Sequence, residues 1–415
     1  MKTHNILPLF LLLIFWTVAC GAEKGPVVKL GIDVLEEKGF DILKGKRVGL
    51  ITNPTGVNRH LKSTVDILFE APEVEVVALY GPEHGVRGNY AAGDKVDNAI
   101  DPVTGVPAYS LYGKTNRPTA ESLKDVDVLV FDIQDIGCRS YTYISTMGYC
   151  MEAAAEYGKE FVVLDRPNPL TGNIVEGATV KDGFTSGVSA YRIPYVHGLT
   201  IGELARVYNE EGLLKNGVKC KLTIVPMKGW KRKMSFEDTG LSWVPSSPHI
   251  PEGSTPPYYV ATGILGELYT MNIGIGYTTP FKTYAAEWMK AQEVADAMNA
   301  LGLEGVTFRP VAYKPFYGVD QGKEVQGVQV HITDFRKVEL MYLQFHFMEV
   351  HHKLYPEVDL FRMNEKRWRM FDMVCGTDEI RTSFMENYRF ADIKPLFERD
   401  VRQFREMSKK YYLYK

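Results

Sequence analysis

The sequence predicts an α/β protein, with a domain built on a parallel sheet followed by a second, smaller α+β domain. Two observations carry this expectation. The first half alternates near-continuous apolar runs with helix-length segments, the pattern of strands covered on both faces and joined by helical crossovers. Beyond about residue 230 that alternation stops, and a stretch rich in Pro, Gly, Ser and Tyr leads into a different mixture of strands and helices.

The expected strands of the first domain are "KRVGLITN" (46–53), "VEVVALYG" (74–81), "VDVLVFDIQ" (126–134), "EFVVLDR" (160–166) and "KLTIVPM" (221–227). Helices are expected over 61–70, part of 119–125, 143–157 and 200–212. Thr200 caps the last of these, with Glu203 completing a capping box. From 230 to 283 an ordered loop or cleft wall is expected. After it come a helix (284–301), a strand at "GVTFRP", a strand (325–334) and helices over 337–354, 377–387 and 394–412. The domains are accordingly placed at 28–230 and 231–415.

Residues 1–20 read as a targeting segment. Lys2 is followed by the apolar run "ILPLFLLLIFW" and then by "TVAC", which ends at Cys20. Cys20, followed by Gly21, has the look of a bacterial lipoprotein processing site. The expectation is an exported protein, periplasmic or anchored to the outer membrane by lipid at Cys20. Cys138, Cys150, Cys220 and Cys375 have no CxxC or zinc spacing and are expected as free thiols.

The chain has 415 residues, 24% of them charged, with a formal net charge of −3 and no basic runs, so nucleic acid is not an expected partner. No GxGxxG follows the first strand, and Walker A, HExxH and GxSxG are absent. No cofactor and no metal are therefore expected.

Each apolar run ends in polar residues on its carboxyl side, where open parallel sheets bind ligands. These are Asn53 after the first, Glu83 and His84 after the second, Asp132, Gln134 and Asp135 at the third, and Asp165, Arg166 and Asn168 at the fourth. Glu83 is either a catalytic acid or a salt-bridge partner of Arg87. His84 either orients Glu83 or carries a proton. Asp132 and Asp165 are site carboxylates or buried structural acids. Gln134, Asp135 and Arg139 suit a binding loop, Tyr141 and Tyr143 either stack on a sugar or pack, and His197 is a site or loop histidine.

The segments "GPEHGVRG", "VDVLVFDIQDIGCRSYTYISTM", "VVLDRPNP", "HGLTIGELA" and "YYLY" together resemble the exo-β-N-acetylmuramidase (NamZ-like) family. The resemblance implies a Rossmann-like catalytic domain, a smaller auxiliary domain and a site in the cleft between them. It implies a glycoside hydrolase that releases N-acetylmuramic acid from the non-reducing ends of peptidoglycan fragments, with Glu83 as catalytic residue and Glu176 as second acid. The lactyl carboxylate of that sugar calls for an arginine, with Arg139 and Arg166 the candidates. The sequence departs from the family pattern at Glu267-Leu268-Tyr269-Thr270, at Gly274-Ile275-Gly276-Tyr277 and at Ser246-Ser247-Pro248-His249. Glu267 and His249 remain substrate-contact candidates. The departures motivate an alternative, a non-catalytic glycan-binding lipoprotein that has lost turnover.

Overall fold

The computed structural model describes residues 27–88 and 97–415. The expected lipid site at Cys20 lies outside the described residues. The first half runs α1 (Gly31–Glu37), β1 (Arg47–Thr52), α2 (Thr64–Glu70), β2 (Glu75–Gly81), β3 (Ala99–Ile100), β4 (Pro107–Ser110), β5 (Val128–Asp132), α3 (Tyr143–Glu156), β6 (Glu160–Leu164), α4 (Ile201–Glu210) and β7 (Lys221–Val225). The second half runs α5 (Pro256–Gly266), β8 (Thr283–Ala286), α6 (Ala291–Ala300), β9 (Val306–Tyr313), β10 (Val325–Ile332), α7 (Leu343–Leu354), α8 (Trp368–Cys375), α9 (Glu379–Asn387) and α10 (Phe390–Ser408).

Strands β1–β7 form one sheet in the order β3-β4-β2-β1-β5-β6-β7, parallel throughout except for the β3–β4 pair. With β3 set aside, the strands run third, second, first, fourth, fifth, sixth, which is the doubly wound order of dinucleotide-binding folds. The order reverses at β1, so the crevice beside its carboxyl end is where such a sheet takes a ligand. Strand β5 is buried along its whole length, as its unbroken Val-Leu-Val-Phe run requires. The second sheet is antiparallel, ordered β8-β10-β9.

Three expectations are corrected. Segment 119–125 forms turns, because Thr119 and Ser122 exchange side-chain and backbone hydrogen bonds that compete with a helix. The helix expected from 284 begins only at Ala291. Residues 283–286 pair instead with β10, and Tyr284 stacks on Phe347 at 4.3 Å. Tertiary pairing overrides the helix propensity of Ala285 and Ala286. The stretch 230–283 contains α5, which starts on Pro256 and Pro257; proline fits the first turn, where the missing N–H is not needed.

The two halves share a core. Ile136, Cys138, Tyr195 and Val196 of the first pack in one cluster with Ile264, Leu340, Phe345 and Phe371 of the second. Arg139 stitches them together. Its guanidinium, almost wholly buried, donates to Ala178 O and Ile193 O at 2.6 Å each and to Val374 O, at the end of α8, at 2.7 Å. Burial pulls its pKa down to about 10. Glu176 makes a second tie, accepting from Met341 N at 2.8 Å and Leu340 N at 3.3 Å.

Residues 411–415 return to the first sheet. Leu413 N donates to Glu203 at 2.8 Å, Arg232 N to Lys415 O at 3.1 Å, and the Tyr414 hydroxyl to Asp165. The segment from 231 onward thus forms the second sheet and also packs its end against the first domain. The four described cysteines are buried and free, and among the described residues no helix is long and apolar enough to cross a membrane.

Two outcomes follow from the ties. Arg139→Met leaves three buried carbonyls without donors, each costing about 1–3 kcal/mol, so a stability loss of at least ~3 kcal/mol is expected in urea denaturation. Burial pushes Glu176 up to about 7 from the usual 4.5. The folded state then holds a proton that the unfolded state releases, so this stabilisation is full below about pH 4.5 and is lost as pH rises through about 7. Glu176→Gln cannot titrate. The stability advantage of wild type over it should shrink by up to ~3 kcal/mol between pH 4.5 and 7.5, and a constant advantage would contradict the burial argument.

Candidate functional site

Strand β2 ends in a turn with little steric freedom. A Cβ on Gly81 would lie 2.7 Å from Val86 N, and Gly85 N closes the turn on Pro82 O at 2.9 Å. His84 and Gly85 both take left-handed backbone, with φ of 74° and 75°. For a histidine this costs roughly 1–2 kcal/mol, and backbone strain of this kind concentrates at functional sites. Gly88 rests on the loop after β1, where a Cβ would come 2.4 Å from Pro54 Cγ. The turn is thereby held at the switch-point crevice, with Glu83 partly exposed and His84 buried.

Around Glu83 stand phenols. Burial, then the charge of the neighbouring Glu83, raises the pKa of the Tyr112 hydroxyl, two residues beyond β4. Tyr143, at the start of α3, is raised well above the usual value by burial, then by Tyr141; it also feels Asn53 and the Glu83 charge. Arg87 is engaged elsewhere, by Asp101 at 2.9 Å and Asp66 at 3.0 Å. The opposite wall is the 244–250 loop. Ser246 accepts from the Tyr143 hydroxyl through its carbonyl at 2.6 Å and from the Tyr141 hydroxyl through Oγ at 2.8 Å. His249 Nε2 shares a hydrogen bond with the Tyr317 hydroxyl at 2.8 Å, which brings in the second domain. Burial, then the neighbouring His84, lowers the His249 pKa, so its imidazole is neutral at pH 7.

Of the residues nominated from the sequence, Glu83, His84, Asn53, Tyr141, Tyr143 and His249 are thus brought together. Tyr143 is a buried wall of this site, whereas Tyr141 keeps a partly exposed ring, edge-on to Tyr143 at 5.0 Å. Asn53 accepts from Thr55 N at 3.0 Å, while its buried Nδ2 has no hydrogen-bond partner among the described residues.

The remaining nominees hold the fold. Asp132 is fully buried and bound by Arg166, whose Nη2 lies 2.8 Å from Oδ2 and also reaches Val57 O at 2.8 Å. Asp165 caps α4 through Gly202 N at 2.7 Å and Thr200 Oγ1 at 2.9 Å; burial pushes it up to about 7. Asn168 donates to Leu199 O, and Gln134 to Asp135 O and Pro167 O. Asp135 accepts from Gly137 N at 2.6 Å and lies 3.7 Å from His197 Nε2, the ring nitrogen left to carry the proton because Nδ1 accepts from Leu199 N. Arg139 and Glu176 are the interdomain ties, and Nη1 and Nη2 of the arginine are taken up by backbone carbonyls. Glu267 pairs with Arg367 at 2.6 Å, beneath which Tyr269 stacks. No group of three or more His, Cys, Asp or Glu among the described residues is arranged to hold a metal ion.

Sequence reasoning missed Tyr112, Ser246 and Tyr317. Tyr112 follows "PAYS", which forms β4 without any apolar–polar alternation, so no local pattern marked it. Tyr317 sits in a turn of the second domain, and nothing local ties it to His249.

A partly exposed carboxyl among phenols and hydroxyls suits proton transfer to a polyhydroxylated ligand. Comparison with known proteins agrees with this chemistry. Residues 48–254 match the model described as exo-β-N-acetylmuramidase NamZ, N-terminal, and residues 257–414 match its C-terminal counterpart. The peptidoglycan β-N-acetylmuramidase NamZ of Bacillus subtilis (strain 168) is 46% identical over 391 residues, covering 94% of this chain and 92% of its own. Two solved DUF1343 family proteins from Bacteroides fragilis NCTC 9343 each cover 94% of this chain and 99% of their own. One has a TM-score of 0.90 at 56% identity, the other 0.73 at 29%. The chain belongs to the NamZ family of exo-β-N-acetylmuramidases, also catalogued as DUF1343.

Proposed function

We propose that this protein is an exo-acting glycoside hydrolase that releases N-acetylmuramic acid from the non-reducing ends of peptidoglycan fragments, with Glu83 as its general acid/base. The observation that carries the reading is the setting of Glu83. It sits partly exposed at the carboxyl edge of β2, beside the switch point, while Asp132, Asp165 and Glu176 are buried in structural networks. In this reading Glu83 protonates the leaving glycosidic oxygen, and its carboxylate then takes a proton from the attacking water. The strained turn at His84 keeps the carboxyl from swinging away from the bond.

Glu83→Gln removes the titrating proton while keeping size and hydrogen-bonding capacity. Turnover of a chromogenic muramic acid glycoside should fall at least ~100-fold, with the circular dichroism spectrum and melting temperature unchanged. A variant retaining more than about a tenth of the wild-type rate would remove Glu83 from the mechanism.

The same reading places the protein outside the cytoplasm, with the mature chain beginning at a lipid-modified Cys20, after the apolar run and small residues that precede it. Mass spectrometry of protein isolated from membranes should find an acylated cysteine as the first residue. An unmodified N-terminus elsewhere would end this part of the proposal.

A further inference from the structure

The turn between β9 and β10 presents Phe316 at 71% exposure and Tyr317 at 49%. One exposed apolar side chain needs no explanation, but adjacent aromatic rings on a fixed turn beside a cleft do. The turn is clamped to the second domain. Phe316 N donates to Gly276 O at 2.7 Å, Gly322 N to Pro315 O at 2.9 Å, and Asn272 Nδ2 to Val319 O at 2.8 Å. Gly276, at φ 83°, allows the closest approach, since a Cβ there would fall 1.9 Å from Tyr317 O. Tyr277 stacks on Tyr313 at 4.6 Å and lies 6.1 Å from the Phe316 ring at 30°, so a row of aromatics backs the exposed one. The segment that departs from the family pattern, Gly274 to Tyr277, is therefore the base on which this turn is built. On its other side the turn reaches the site, through Tyr317 and His249.

We propose that Phe316, backed by Tyr277, is the platform for the sugar on the leaving-group side of the scissile bond. This rests on the exo-hydrolase reading above. An exo enzyme encloses the terminal residue, so the rest of the glycan must leave the cleft across its rim. The turn that meets His249 through Tyr317 offers there the flat, uncharged ring of Phe316. Such a face suits the C–H edge of a neutral N-acetylated hexopyranose and gives nothing to an anionic group. Binding energy gained there, away from the reacting carbon, positions the bond against Glu83.

The test compares kcat/KM for the β-linked disaccharide N-acetylmuramyl-N-acetylglucosamine with kcat/KM for methyl β-N-acetylmuraminide, which has no ring on the leaving side. Phe316→Ala should lower the disaccharide-to-methyl ratio about tenfold, and Phe316→Tyr should restore it. A ratio unchanged in Phe316→Ala overturns the platform. Wild-type protein that cleaves neither substrate overturns the exo-hydrolase reading, and the platform with it.

Discussion

The buried ion pair between Asp132 and Arg166 fixes the carboxyl edge of the large sheet. Two charges withdrawn from water are costly unless their remaining hydrogen-bonding capacity is met. Here it is met, because Thr64 donates to the same carboxylate and Val57 O accepts from the guanidinium. The pair therefore joins the end of β5, the start of the loop after β6, the loop after β1 and the first residue of α2. Those loops frame the crevice at the switch point, and the β2 turn leans on one of them through Gly88 and Pro54. Removing either charge alone would strand the other in the interior.

This explains which parts of the site were legible in the sequence. The apolar runs announced the parallel sheet, because strands covered on both faces must be apolar throughout. The polar residues at their ends all lie on the carboxyl edge of the sheet. What they did not reveal was which of them face the ligand. An acid after a buried strand reads the same whether it caps a helix, as Asp165 does, or stays partly exposed, as Glu83 does. Only the packing of α4 and of the returning segment around Asp165 separates the two. The glycines around Glu83 were a better guide, since they imply close backbone approach. The left-handed conformation of His84 and the partners Tyr112 and Tyr317 come from long-range packing that no local pattern encodes.

The departures from the family pattern have a physical account. Glu267 is taken up by Arg367, and the 272–277 segment forms an internally bonded bend that carries the β9–β10 turn. Its changes therefore act on the shape of the cleft rim. Glu83 and its neighbours belong to the loops of the large sheet, so the two can vary separately.

The return of residues 411–415 also bears on the order of folding. The Tyr412 ring lies 3.4 Å from the guanidinium carbon of Arg232, which grips Glu203, and the Tyr414 hydroxyl accepts from Met227 N as well as serving Asp165. These contacts close loops of about two hundred residues, the slowest kind to form. During synthesis the large sheet is translated long before them. Asp165 and Arg232, already bound to Thr200, Gly202 and Glu203, thus gain their contacts with 411–415 only after the second domain has been made. A chain cut before residue 411 lacks the contacts that Tyr412, Leu413 and Tyr414 make with the first domain.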